Sequence, residues 1–128
     1  MQGEDILFRN MKRDGDAPLI GEGGLHIRPG LDVEATQHDE LVQPGTGGLS
    51  TAPDNPMLLP AFRRPRSLGG TSKHPVWSMA RHALGAYGLG SRRDGATHES
   101  IEPLVETTLA NFTDGVHRTA PDWSLAHD

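Results

Sequence analysis

Glycine and proline interrupt this chain at 26 of its 128 positions, and that frequency limits what it can fold into more than any other feature. Glycine weakens helices and strands and proline removes a backbone donor, so regular elements must be short and much of the chain must be loop. Only 34% of residues are hydrophobic and 5% aromatic, which predicts one small core in a single domain spanning residues 1–128. A core of that size leaves the fold marginally stable, so a bound ligand or partner would add to it.

Between the breakers, several segments carry a pattern. Ile6-Leu7-Phe8 predicts a first strand, ended by turn residues between Met11 and Pro18. Leu25-His26-Ile27-Arg28 alternates apolar and polar and predicts a brief edge strand or extended segment, whereas Leu31 to Leu41 lacks a helical period and predicts loop with one helical turn. Gly48 to Ala52 predicts a short strand, and Pro75-Val76-Trp77-Ser78-Met79 is the best mid-chain strand. Gly85, Gly88 and Gly90 favour loop over Ala83 to Leu89. Thr97 to Glu102 should be extended, because Pro103 biases its predecessor away from helix. Leu104, Val105, Leu109, Phe112 and Val116 recur at helical spacing and predict an amphipathic helix from Leu104 to Arg118, weakened by Thr107-Thr108 and Gly115. Trp123 and Leu125 either pack back on the body or leave the tail unordered.

Whole classes of function are excluded. The chain has no cysteine, which removes disulfides and thiolate chemistry. Its seven histidines include no pair at i, i+4 on a good helix, so no metal site is expected. No apolar run reaches the roughly 20 residues of a membrane span, and the acidic start Met1-Gln2-Gly3-Glu4-Asp5 does not resemble a secretory leader. The expectation is a cytoplasmic protein or one secreted without a cleavable signal peptide. The dinucleotide-binding, P-loop and nucleophile-elbow patterns are all missing.

The net charge of −5 is unevenly spread. Residues 1–54 hold 10 acids and 4 bases, residues 55–93 hold 7 bases and no acid, and residues 94–128 hold 7 acids and 1 base. The basic middle consists of Arg63, Arg64, Arg66, Lys73, Arg81, Arg92 and Arg93. Such a segment either attracts an anion, a pyrophosphate or a nucleic-acid backbone, or is a surface that meets the acidic flanks of its own chain.

Three short motifs stand in order: Leu7-Phe8-Arg9, the glycine cluster Pro44-Gly45-Thr46-Gly47-Gly48-Leu49-Ser50-Thr51-Ala52, and Thr97-His98-Glu99-Ser100-Ile101-Glu102-Pro103. Arg9, Ser50 and Glu102, each on a predicted strand, resemble the Arg-Ser-Glu pattern of ADP-ribosyltransferases. The resemblance is sharper to the small type VI-secreted effector toxins with an ADP-ribosyltransferase-like fold, and it covers about residues 6–118. It implies an α+β fold, a small ADP-ribosyltransferase-like split β-sheet with few short helices and long loops. It also implies a cytotoxic effector domain that binds NAD and transfers ADP-ribose to a cellular target, with a cognate neutralising (immunity) protein in the producer.

Breaking the bond between nicotinamide and ribose takes the ribose through a cationic state like that of glycoside hydrolysis. A carboxylate beside that carbon stabilises the charge, which is the role the resemblance gives Glu102. Arg9 would hold an NAD phosphate or ribose through paired N–H donors, Ser50 would orient Arg9 and the glutamate, and Gly47 and Gly48 would let the backbone approach the nicotinamide amide. His98 falls four residues before Glu102 on one strand face, and the resemblance, whose matching stretch carries histidine there, makes it the further catalytic candidate. Thr51, Arg64 and Arg66 complete the expected NAD-binding set. Each residue also has a plainer reading: a strand-end hydroxyl, a surface arginine, a solvated carboxylate, a histidine bonded to backbone. The rival function is a non-catalytic binding module that uses the basic segment 55–93 to engage nucleic acid or an acidic protein.

Overall fold

The structure, a computed structural model, describes residues 5–128; the acidic lead Met1 to Glu4 lies outside the described residues. In chain order the strands are β1 (Ile6–Asn10), β2 (Arg13–Asp14), β3 (Ala17–Pro18), β4 (Leu41–Val42), β5 (Leu49–Pro53), β6 (Val76–Ala80), β7 (Leu89–Arg93), β8 (Glu99–Pro103), β9 (Thr107–Thr108) and β10 (Ser124–His127), with one α-helix, α1 (Leu109–Arg118). Six of the strands form an antiparallel sheet in the order β10-β6-β1-β5-β8-β7; β2 pairs with β3, and β4 with β9.

That sheet parts down its middle. β1 meets β6 over a full ladder from Ile6↔Ala80 to Asn10↔Val76, yet it meets β5 only at Leu7↔Pro53 and Phe8↔Ala52. From Thr51 back to Leu49, β5 pairs instead with β8, Thr51↔Glu99, Ser50↔Ser100 and Leu49↔Ile101. β1 and β5 therefore diverge after Phe8, and the residue at the point of divergence is Arg9. The fold is α+β, built on a split antiparallel sheet with few short helices and much loop.

One continuous apolar cluster runs from Leu7 through Trp77, Met79 and Ile101 to Phe112, Val116 and Trp123. Leu7 and Trp77 are fully buried, and the Trp77 Nε1–H donates to the Met11 carbonyl at 3.0 Å, so the indole enters the core without stranding its polar end. β8 lies between two strands and all five of its residues are buried, so its polar members Glu99, Ser100 and Glu102 need partners from the protein itself.

The sequence reading needs three adjustments, and two alternatives that it left open are decided. No strand forms over Leu25 to Arg28, which stays extended with one isolated bridge, Ile20↔Leu25. Leu31 to Glu40 has no helical turn, only turns, bends and the isolated bridge Pro29↔Val33, and Leu41 opens β4. Arg81–Tyr87 is a 3₁₀ helix rather than loop, and the glycine-containing Leu89–Arg93 is strand β7. The α-helix begins at Leu109, not Leu104: Thr108 caps it, accepting the Asn111 N–H at 3.2 Å, and the two residues read as its first apolar positions, Leu104 and Val105, are exposed. The tail is ordered, with Trp123 buried and β10 paired to β6.

Candidate functional site

An open cavity of about 670 Å³ lies where β1 and β5 part. Arg9 and Asn10 of β1, Ser50 and Thr51 of β5, and Thr97 and His98 from the hairpin before β8 form one side. The loop Glu22-Gly23-Gly24 and the 3₁₀-rich stretch Leu58-Leu59-Pro60 form other walls. Proline repeatedly breaks that stretch into single turns, Pro56–Leu58, Ala61–Arg63 and Arg66–Leu68, and the Asn55 carboxamide caps the first by accepting the Met57 N–H at 2.9 Å.

Arg9 bridges the parting. Its guanidinium donates to the Ser50 carbonyl at 2.9 Å and to the Gly24 carbonyl at 3.1 Å, while its shielded Nε has no partner. Burial lowers Arg9 to about 10, with Asp32 pulling it back up and Arg63 and Arg28 pushing it down, so the group stays charged at neutral pH. A buried cationic donor without an acceptor costs about 1–3 kcal/mol or more. Further cations line the same space: Lys12, Arg28 and Arg63, of which Arg28 is held by Asp32 at 2.8 Å and Arg63 lies 5.4 Å from the Phe62 ring centre.

The expected trio is only partly assembled. Arg9, Ser50 and Thr51 share the cavity with His98, but the Arg9 bond runs to the Ser50 backbone and not to its hydroxyl. Glu102 is not in the cavity. Its buried carboxylate accepts the Gly45 N–H at 2.8 Å and the Arg92 Nε–H at 3.1 Å, so it holds the glycine loop to β8 and neither orients Ser50 nor faces the space a ribose would take. Gly47 and Gly48 serve the chain itself. A Cβ at Gly47 would fall 2.3 Å from the Asp32 carbonyl oxygen and one at Gly48 would fall 2.0 Å from that of Ile101, so the close approach is backbone to backbone. Arg64 folds back to donate to the Leu68 carbonyl at 2.8 Å, and neither it nor the exposed Arg66 lines the cavity; their neighbour Arg63 does.

Among the described residues, two of the seven cations of the basic segment are paired with acids. Arg81 is paired with Glu99 at 2.7 Å and with Asp54 at 3.3 Å, and Arg92 with Glu102 at 3.1 Å, all acids from outside the segment. Opposed by desolvation, the Arg81 bonds and the Ser91 hydroxyl hold the Glu99 carboxyl below its ordinary value. Among the described residues no group of three or more histidines and carboxylates is placed to hold a metal ion, and no helix is long and apolar enough to cross a membrane.

Sequence reasoning missed Lys12, Glu22 and Arg28, which loops bring to the cavity and no local pattern marks, while of the basic loop Arg63 to Arg66 it is Arg63 that lines the cavity. It also passed over Asp94, whose side chain binds His98. Asp94-Gly95 between two strands is a hairpin signal that would have placed them on one turn. No family model, curated protein or solved structure matches this chain.

Proposed function

We propose that this chain is a toxin domain of ADP-ribosyltransferase type that binds NAD, or a dinucleotide like it, in the cavity between β1 and β5. The observation that carries the reading is the setting of Arg9: a charged, half-buried guanidinium at the parting of the sheet, lining the cavity beside Ser50 and bonded to the Ser50 and Gly24 carbonyls. Lys12 and Arg63 beside it supply further charge for a pyrophosphate, and the apolar wall Leu58-Leu59-Pro60 suits a base or a nicotinamide ring. Ser50 and His98 then stand at the reacting end.

The pairing of Arg81 and Arg92 with the chain's own acids weighs against the rival reading of the basic segment as a nucleic-acid or acidic-protein platform. Under the toxin reading the domain works in a target cell's cytoplasm and its producer holds a neutralising partner. The test is growth after induced expression, with cellular NAD followed in the same cultures, for wild type beside Ser50→Ala and Arg9→Lys; lysine keeps charge at that place while losing the bridge to two carbonyls. Arrest and NAD loss with wild type alone are expected. Well-expressed, folded wild type that neither arrests growth nor binds NAD by calorimetry would remove the reading.

A further inference from the structure

The hairpin that joins β7 to β8 carries chemistry outside the Arg-Ser-Glu trio. At its tip the Asp94 N–H donates to the His98 carbonyl at 3.1 Å, and the Arg93 guanidinium donates to the carbonyls of Gly95 and Ala96 at 3.1 and 3.0 Å, so the turn is braced on both sides. One Asp94 carboxylate oxygen binds the His98 Nδ1, and the other accepts the Ser100 hydroxyl at 3.1 Å. Against desolvation, which would raise it, the bonds from His98 and Ser100 hold the Asp94 carboxyl below its ordinary value. Ser100 stands opposite Ser50 in the β5–β8 ladder, which places this group beside the Arg9 end of the cavity. His98 lines that cavity, and with Nδ1 engaged its Nε2 has no partner among the described residues. A carboxylate on Nδ1 fixes the tautomer that leaves a lone pair on Nε2 and favours the imidazolium once a proton arrives.

We infer that Asp94 positions His98 as the general base of this cavity, and that the group accepting ADP-ribose is an oxygen nucleophile, water or a hydroxyl. The inference rests on the NAD reading above. In the step, the bond between ribose carbon and nicotinamide nitrogen breaks and its electron pair leaves with neutral nicotinamide. The nucleophile's oxygen bonds to the ribose carbon, and its proton passes to His98 Nε2 and then to solvent. Arg9, Lys12, Arg28, Arg63, Glu22 and Asp32 share the cavity walls with His98, and Asp94 is in direct contact with it. Glu102, engaged with Gly45 and Arg92, takes no part.

The experiment joins nitrogen NMR of the histidine rings in the whole chain with an assay of nicotinamide release from NAD, using His98→Gln to assign the resonance. In wild type His98 should carry its proton on Nδ1, and Asp94→Asn should shift the neutral ring toward the Nε2 tautomer. For nicotinamide release, His98→Gln should lose about 100-fold and Asp94→Asn about tenfold with the KM for NAD little changed. An Asp94 that merely braced the turn would lower the rate without changing that tautomer. A His98 tautomer unaltered in Asp94→Asn overturns the positioning, and full nicotinamide release by His98→Gln overturns the base. If wild type releases no nicotinamide, the transfer reading and the base step fall together, while the tautomer still decides whether Asp94 sets the state of His98. Mass spectrometry of the product separates the nucleophiles: free ADP-ribose means water, an O-glycosidic adduct means a hydroxyl, and a nitrogen linkage overturns the oxygen assignment.

Discussion

Arg81 grips Glu99 with two nitrogens, its Nε on one carboxylate oxygen at 2.7 Å and a terminal nitrogen on the other at 3.0 Å. The pair ties the end of β6 to the start of β8, two strands that are not neighbours in the sheet. Glu99→Gln should cost about 3 kcal/mol, toward the lower part of the range for a broken buried pair because Arg81 keeps Asp54. The Glu99 carboxyl is held below its ordinary value of 4.5, so the stability it supplies is complete above that pH and is lost as the pH falls through the lower folded value. Thermal melts on both sides of that pH should show a steep acid loss in wild type and a shallower one in Glu99→Gln.

Gly48→Ala should be among the most damaging small substitutions in the chain. The added carbon would meet the Ile101 carbonyl oxygen at 2.0 Å, and neither backbone can yield without opening the β5–β8 ladder. A loss of about 3 kcal/mol or more, read from urea unfolding, is expected. Gly85→Ala, with open space around it, serves as the matched control.

Glu102 separates structure from chemistry. Glu102→Ala removes the acceptor of the Gly45 N–H and the Arg92 Nε–H, both open to water, and should cost about 1 kcal/mol. Glu102→Gln keeps an acceptor for Gly45 and should retain growth arrest. Loss of arrest in a Glu102→Gln protein of unchanged melting temperature would return the residue to the reacting site.

His26 and His117 stack with their ring centres 5.7 Å apart, and His26 lines the cavity. Burial and the neighbouring His26 lower His117 from its ordinary 6.5, against Asp114, which raises it. As the pH falls below 6.5 the unfolded chain takes up this proton before the folded one does, so stability declines until the pH reaches the lower folded value. His117→Gln should flatten that segment of the stability profile measured by chemical denaturation.

What was legible in the sequence follows from how local each signal is. Val76-Trp77 announced β6 through its own residue types, and Ile6-Leu7-Phe8 announced β1. Leu89-Gly90-Ser91-Arg92-Arg93 has one apolar member and becomes a strand because β8 offers it a ladder, a fact held elsewhere in the chain. Leu104 and Val105 extended a true helical period into a turn, since periodicity cannot tell an exposed leucine from a buried one. At the site, Arg9, Ser50 and His98 were found through motifs. Glu102 was misplaced because strand membership does not say which neighbour claims a carboxylate, and Lys12 and Arg28 arrive by loop paths that no spacing encodes.

The strand order carries a kinetic consequence. Apart from the hairpin of β7 and β8, every neighbour in the six-stranded sheet is remote in the chain: Leu7 pairs with Pro53 and Met79, Ser50 with Ser100, and Leu125 with Trp77. Each ladder must close a long loop before its contacts reward it, which belongs to the slow end of single-domain folding, on the order of milliseconds to seconds. Because Arg9 can reach the Ser50 carbonyl only when two such ladders stand side by side, the cavity matures late, and refolding followed by tryptophan burial should run ahead of any recovery of ligand binding.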